Sequence, residues 1–485
     1  MTKLHQPDLS SLALLFFAVS IIPGGVCEGA EVTEIAQRRQ LFLDRLLIDR
    51  LDGAWLRMHE PVRREKVLHL NKPWEGIISW CPVVLRDGDR YQMWYRSREK
   101  SSAKNHVFVG YAESSDGIAW ERPELGLFEF EGSKANNICI DGRHMSNVGL
   151  FIDHNPQTPP DARYKAVGLG SDNGRSAILG MVSPDGIHWR PAKEGALVLG
   201  TKDDPVFEAP QGAFWDSRQE RYAIYTRGWR HPDADGRIRS IRMTTSEDFV
   251  NWEPFQYIRL ADGKWPEELY TNSAQCYYRA PLYLMFPKRF LTKRKFPPVD
   301  WPHPGVSDVL LLASRDGVHF TQPVKEAFLR PGLDPKNWHE RAIYIGPCVV
   351  KTGDSEMSLY ALENYRTDNI HIRRLTLRTD GFVSIHAAQP AGKLLTQPLS
   401  FSGNRLEINY STSAAGEIRV EITNASGEPI SGFSAEDCEL IYGDQITRTV
   451  RWKRSADVGR FAGKPVRLCF KLREADLYSF RFYED

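Results

Sequence analysis

Apolar and polar residues alternate with a period of two over much of the chain. The alternation comes in short runs closed by turn-forming residues, which is the signature of half-buried β-strands. Five runs share one plan: an apolar strand, a polar turn, then an alternating strand containing Tyr. They are Val83 to Arg96 (VVLRDGDRYQMWYR), Leu150 to Gly168, Ala213 to Arg227 (AFWDSRQERYAIYTR), Cys276 to Pro287 and Cys348 to Tyr365. A third strand follows, such as His106 to Ser114, and then a turn. In the first copy the turn reads ESSDGIAW, Glu113 to Trp120; VSPDGIHW, TSEDFVNW, ASRDGVHF and a fainter LRTDGFVS repeat it. Their aspartates, Asp116, Asp185, Asp248, Asp316 and Asp380, lie 69, 63, 68 and 64 residues apart. Strand, turn, strand, strand, turn at that period is a four-stranded antiparallel sheet. Such a unit cannot bury both faces alone, so copies must stack. Five stacked sheets predict an all-β fold, a five-bladed β-propeller over residues 61–394. Within the turn, Asp bonds nearby backbone N–H groups and Gly supplies a positive φ, so the motif reads as structural.

Beyond about residue 395 the alternation continues without the period, in Leu406 to Ile430 and Pro465 to Glu484. This predicts a C-terminal β-sandwich over 395–485. Residues 31–60 form an N-terminal arm whose LFLDRLLIDR stretch, Leu41 to Arg50, is expected to add a ring-closing strand. Residues 1–30 read as a signal peptide: Lys3, then an apolar run Leu12 to Ile22, then Pro23, Gly24 and Gly25. The reading is a secreted or periplasmic protein with no membrane span.

Composition changes this picture little. The chain has 485 residues, and its formal net charge of +1 offers no bias toward nucleic acid. Thirteen Trp suit an aromatic-rich β core or a carbohydrate cleft. The seven Cys make no zinc-type spacing, and Cys438 with Cys469 is the first pair to test for a disulfide. No cofactor is expected, although a structural Ca²⁺ in a propeller channel would leave no sequence signal. Asn409 and Asn424 match the glycosylation acceptor pattern.

In a propeller the innermost strands line a channel, so chemistry is sought just before each begins. Glu75, Glu268 and Glu340 each stand nine residues before the matching positions Val84, Tyr277 and Val349. Trp74 and Trp338 lie close to two of them. The third unit offers Asp204 and Glu208 slightly off register, and the second offers Asn147 but no acid. Carboxylates converging on an aromatic-lined mouth are what glycosidic cleavage needs: one protonates the leaving oxygen, another activates water or attacks the sugar. Trp74, Trp338, His339, Asn147, Tyr270, Arg227 and Arg289 complete the candidate substrate-binding set. The basic run Lys288 to Lys295 reads as a solvated face or as a grip on an anionic sugar such as a uronate or sulfate.

The turns TSEDFVNWEP and VSPDGIHW, with the strands RYQMWYRS and RYAIYTRG, resemble five-bladed glycoside hydrolases: levanases and invertases, arabinanases and xylosidases, and mannoside phosphorylases. The LFLDRLLIDR start and GKPVRLCFKLREADLYSFRF end are similar to exported bacterial glycosyl-hydrolase-like proteins, often from planctomycetes. The resemblance spans residues 40 to 485 and implies acids in the first, second and a later blade. Glu75 matches the first. The second blade holds Asn147 instead, and no clean RDP motif is present; Asp204-Pro205 is the nearest substitute. The expected function is glycosidic-bond hydrolysis of an oligo- or polysaccharide, with Glu340 or Glu268 as acid and Glu75 as base or nucleophile. A non-catalytic glycan-binding propeller and a protein-binding scaffold are the alternatives.

Overall fold

A computed structural model describes residues 32–99, 106–142, 145–201, 208–230, 238–263, 268–453 and 455–485. The regular secondary structure of the described residues is almost entirely β-strand, with three single-turn 3₁₀ segments. The described residues form seven sheets in six groups: five groups follow one another along the chain, the fourth being two small sheets, and the sixth joins the two ends of the described residues.

The first sheet runs in sequence order through Trp80–Asp87, Arg90–Arg98, Val107–Ser114 and Ile138–Asp141, all antiparallel. The second uses Ser146–Ile152, Tyr164–Asp172 and Arg175–Ser183 with two short outer pieces, and the third uses Glu208–Asp216, Arg221–Arg230, Ile238–Ser246 and Gln256–Tyr257. The fourth is split. Tyr283–Met285 and Lys288–Leu291 pair into separate small sheets, because Pro287 between them has no N–H for a continuous ladder. The fifth is built on Glu356–Glu363 and His371–Arg378. The first strands of all five sheets line one cavity, through Leu85, Ile152, Trp215, Cys276 and Val350 among others. The sheets therefore surround a common channel, as in a β-propeller.

The repeated turn shows how neighbouring sheets lock. Asp116 Oδ1 accepts from Ile118 N (2.7 Å), Ala119 N (2.9 Å) and Ser114 Oγ (2.9 Å). Asp185, Asp248 and Asp316 repeat the pattern. The glycine carbonyl of each of three turns then takes a hydrogen bond from the preceding sheet. Trp94 Nε1 donates to Gly186 O (2.7 Å), Tyr225 Oη to Gly317 O (2.6 Å), and Tyr360 Oη of the fifth sheet to Gly117 O of the first (2.6 Å). Gly117 has φ +75°, and a Cβ there would lie 2.8 Å from Tyr360 Oη. The site thus excludes a side chain by both conformation and space.

Leu41 to Arg50 does not close the ring. Gln40–Leu41 pairs with Val466–Tyr483, and Ile48–Asp52 pairs with Gly392–Thr396. Closure comes from Val62–His69, which pairs antiparallel with His371–Arg378 as the outermost strand of the fifth sheet. This strand, VRREKVLH, is mostly exposed and charged, as an edge strand should be, so it carries no strong alternation. The sixth sheet gathers Thr33–Ala36, Gln40–Leu41, Ile48–Asp52 and Trp55–Met58 with Val383–Ala387 and the later strands. The expected boundary at 394/395 therefore falls inside it. Its core includes Ile35, Phe42, Leu406, Phe470 and Phe482. Cys438 and Cys469 are buried free thiols and form no bridge. Asn409 is fully buried and donates to Thr379 O (2.8 Å), so in the folded chain it is no glycan acceptor.

Candidate functional site

The register fixes two edges of the ring. Tyr91 pairs with both Arg86 and Ser114, so the Asp turns share the edge where innermost strands end. Trp80 pairs with Arg96, which marks the opposite edge, where innermost strands begin. The candidate residues lie toward that second edge.

Two cavities open there. A small one of about 190 Å³ is lined by Trp80, Arg96, Asn147, Tyr270, Lys288 and Tyr365 among others. A larger one of about 470 Å³ is lined by Arg239, Phe290, His303 and Glu340 among others. Tyr270, Arg341 and Arg366 line both.

Tyr270 precedes the innermost strand of the fourth sheet and is held by its backbone N–H, which donates to Lys288 O (2.7 Å). Its phenol oxygen accepts from Arg341 Nη1 (3.0 Å). Guanidinium groups stand over its ring: Arg227 at 4.5 Å, Arg239 at 5.3 Å and Arg341 at 5.6 Å from the centroid, with Lys288 Nζ at 5.5 Å. Burial pushes the Tyr270 phenol up, but Arg227 and Arg341 outweigh it and leave it below the ordinary tyrosine value. Burial pulls Arg227 down, opposed by Tyr270.

Glu340 is buried, and both of its oxygens are engaged: Arg341 Nη2 reaches Oε2 (2.5 Å) and Arg366 Nη1 reaches Oε1. Arg341 and Arg366 have φ of 60° and 64°, and Asn147 has 53°. Left-handed backbone at three lining residues that are not glycine is the kind of strain found at functional sites. Asn147 Oδ1 accepts from Trp80 Nε1 (3.2 Å). Glu268 is half-buried and paired with Arg239.

The structure thus brings together Tyr270, Arg227, Glu268, Glu340 and Asn147. It leaves other candidates elsewhere. Glu75 is fully buried in its own network, accepting from Tyr95 Oη (2.5 Å) and Lys72 N (3.0 Å) and paired with Arg122 (3.0 Å), and it lines neither cavity. It is tied up by the first sheet's own polar core, so the pairing expected with Glu340 or Glu268 does not form around one cavity. Trp74 donates to Asn137 (2.8 Å) and meets Phe130 edge-on. Trp338 donates to Gly332 O (2.7 Å) and stacks on Phe296. His339 is buried against Trp301, ring centroids 3.9 Å apart, and burial pulls it down to about 4, so it is neutral at pH 7. Arg289 makes a two-pronged pair with Asp308. Asp204 lies outside the described residues; Glu208 opens the strand Glu208–Asp216, and its side chain is not described.

Sequence reasoning passed over Arg239, Arg341, Arg366 and Arg96, and met Lys288 only as the start of the basic run Lys288 to Lys295. A signal existed for two of these. Tyr91, Tyr222 and Tyr283 are each followed five residues later by a basic residue: Arg96, Arg227 and Lys288. These are equivalent points on second strands. Among the described residues no cluster of His, Cys, Asp and Glu could hold a metal ion, and no helix is long and apolar enough to cross a membrane.

No family model matches the chain. An uncharacterized protein of Mycobacterium tuberculosis is 27% identical over 152 residues, which is 30% of this chain and 45% of that protein. The chain therefore spans less than half the length of that curated relative. Solved structures with partial likeness include a glycosyl hydrolase from Bacteroides ovatus (TM-score 0.41, 13% identity, 66% of this chain and 94% of that one). A fructofuranosidase from Schwanniomyces occidentalis complexed with fructosylnystose gives TM-score 0.44 and 10% identity over 85% and 96%. An N-acetylgalactosamine deacetylase from F. plautii in complex with blood group B trisaccharide gives 0.40 and 14% over 70% and 97%.

Proposed function

We propose that this protein processes a glycan at the edge of the ring where the innermost strands begin, cleaving a glycosidic bond. The observation that carries the reading is the meeting of two cavities at Tyr270, Arg341 and Arg366, with Glu340 between the two guanidinia. A phenol shifted below its ordinary value by Arg227 and Arg341 is a competent base or nucleophile, a role tyrosine takes in some glycosidases. The repeated turns and second strands that resemble those of glycoside hydrolases support the same substrate class.

The second reading, glycan binding without cleavage, is favoured by one observation: both oxygens of Glu340 are already taken by arginines, and Glu268 is paired with Arg239. One experiment separates the two. Wild type, Tyr270→Phe and Glu340→Gln are incubated with a library of oligo- and polysaccharides, and reducing ends and binding are both measured. Cleavage by wild type that falls at least about a hundredfold in Tyr270→Phe supports catalysis at this site. Binding with no release of reducing ends supports the second reading. Cleavage unchanged in both variants rules this site out.

We also propose export. The Lys3-led run Leu12 to Ile22 supports it. N-terminal sequencing of the protein from its native host tests it: a mature chain beginning between Gly25 and Glu31 is expected, and an intact Met1 in the cytoplasm would refute it.

A further inference from the structure

Among the described residues, the two cavities at the strand-start edge carry Arg96, Arg98, Arg239, Lys288, Arg341 and Arg366 against two carboxylates, Glu340 in the lining and Glu268 paired with Arg239. Neutral sugars are usually met by neutral hydrogen-bonding groups and carboxylates, so this lining asks for a different ligand chemistry. Three details sharpen the point. First, Glu340 is one charge shared by two guanidinia, Arg341 and Arg366. Second, the Nε–H groups of Arg239, Arg341 and Arg366 are buried with no hydrogen-bond partner among the described residues, while about a quarter of each of these side chains is exposed (24%, 23% and 26%). All three side chains line the larger cavity and keep surface that a ligand or ordered solvent can reach. Third, the left-handed backbones of Arg341 and Arg366 (φ 60° and 64°) aim two long cationic side chains into the same space, a conformation non-glycine residues adopt at a cost.

We propose that the glycan this site selects is anionic, its carboxylate or sulfate ester seated against Arg341 and Arg366 beside Tyr270. The planar guanidinium fork matches the two or three oxygens of either group. Phe290, edge-to-face with Tyr270 at 5.7 Å between centroids, gives the attached sugar ring an apolar wall. The buried Lys288 ammonium, 3.0 Å from Arg341 O, anchors the segment that carries Arg341. The proposal rests on the glycan reading above and narrows it to a charge class.

The test is a printed array of uronate-bearing, sulfated and uncharged glycans probed with the full chain. Titration calorimetry at low and high NaCl then follows on an acidic hit and its uncharged counterpart. Binding confined to uronate-bearing or to sulfated glycans is expected, and which of the two responds identifies the anion. The acidic hit should bind at least about tenfold tighter than its uncharged counterpart and lose affinity as salt rises. Arg366→Gln should remove that preference, and Arg366→Lys should retain part of it. The salt series needs no variant, so a misfolded Arg366→Gln would not decide the matter. Equal binding of charged and uncharged glycans, or binding of uncharged ones alone, overturns the anionic class and leaves the glycan reading standing. Binding to no glycan overturns both.

Discussion

Asp185 and Asp316 sit half-exposed in turns far from the candidate site, yet their carboxyls are held to about 2. Burial works against this; the backbone N–H groups of His188 and Ile187, and of His319 and Val318, outweigh it. A folded value below the ordinary 3.8 means the stabilisation is present above that value and is lost as pH falls from about 3.8 toward 2. Asp185→Ala and Asp316→Ala should each cost about 1–2 kcal/mol near neutral pH, from lost turn hydrogen bonds. Urea midpoints measured from pH 7 down to pH 2 check this; the gap between wild type and variant should narrow in the acid range. Tyr270 is the contrasting residue. Its neighbourhood in the chain, ELYTNS, gives no sign of its lowered phenol, which comes from Arg341 in the loop before Tyr344–Ile345 and from Arg227 on the second strand of the third sheet.

Besides its ladder, the strand that closes the ring is tied to the fifth sheet by a buried carboxylate. Glu363, on Glu356–Glu363, accepts from Arg63 Nε of the closing strand (2.7 Å), from Arg373 Nε (2.6 Å) and from His371 Nε2 (3.3 Å). Burial would raise it, but these three partners lower it to about 2 from the ordinary 4.5. Its contribution is therefore complete above 4.5 and disappears as pH falls toward 2. Glu363→Gln leaves Arg63 and Arg373 poorly matched and should destabilise the fold by about 3 kcal/mol. Hydrogen exchange should show Val62–His69 and His371–Arg378 opening before the other sheets. Unchanged protection of Val62–His69 would mean that the ladder with His371–Arg378 holds the ring without this ion cluster. The closing strand was hard to find in the sequence for the same reason it works: at an outer edge, charge protects better than alternation.

At the scale of the molecule, the fifth turn aspartate has been given a different task. Asp380 is fully buried and accepts from Tyr277 Oη (2.7 Å), Arg279 Nε (2.9 Å) and Ser479 Oγ (2.9 Å), with Arg39 at 3.8 Å. It joins the fourth sheet, the N-terminal arm and the last strand of the sixth sheet. Burial opposes its charge, but Arg279 and Arg39 keep it lowered. Asp380→Ala strands Arg279, leaves Arg39 with Glu407 as its remaining carboxylate, and should cost about 3 kcal/mol. Calorimetry should show the single unfolding transition of wild type become two, as the sixth sheet uncouples from the ring. A single transition shifted by less than about 1 kcal/mol would show the junction to rest on apolar packing instead.

What the sequence determined by itself is what repeats. Period-two alternation and the Asp turn are local, dictated by backbone geometry and by hydrogen bonds spanning three residues, so they could be read off and counted. The edge of each sheet at which to look followed from that count; Glu340, Tyr270 and Asn147 line cavities at that edge, Glu268 pairs with Arg239, and Arg227 stands over Tyr270. The tertiary structure decided what a carboxylate at that edge touches. Glu75 and Glu340 hold equivalent places in the repeat, yet one is sealed among Tyr95, Lys72 and Arg122 while the other lies between Arg341 and Arg366 at a cavity. Lys72 and Arg341 are near neighbours of these carboxylates, but Tyr95, Arg122 and Arg366 lie 20, 47 and 26 residues away, and charge pairing across such distances leaves no periodicity to read. The site's positive lining, and with it the proposed class of ligand, exists only once the ring is closed.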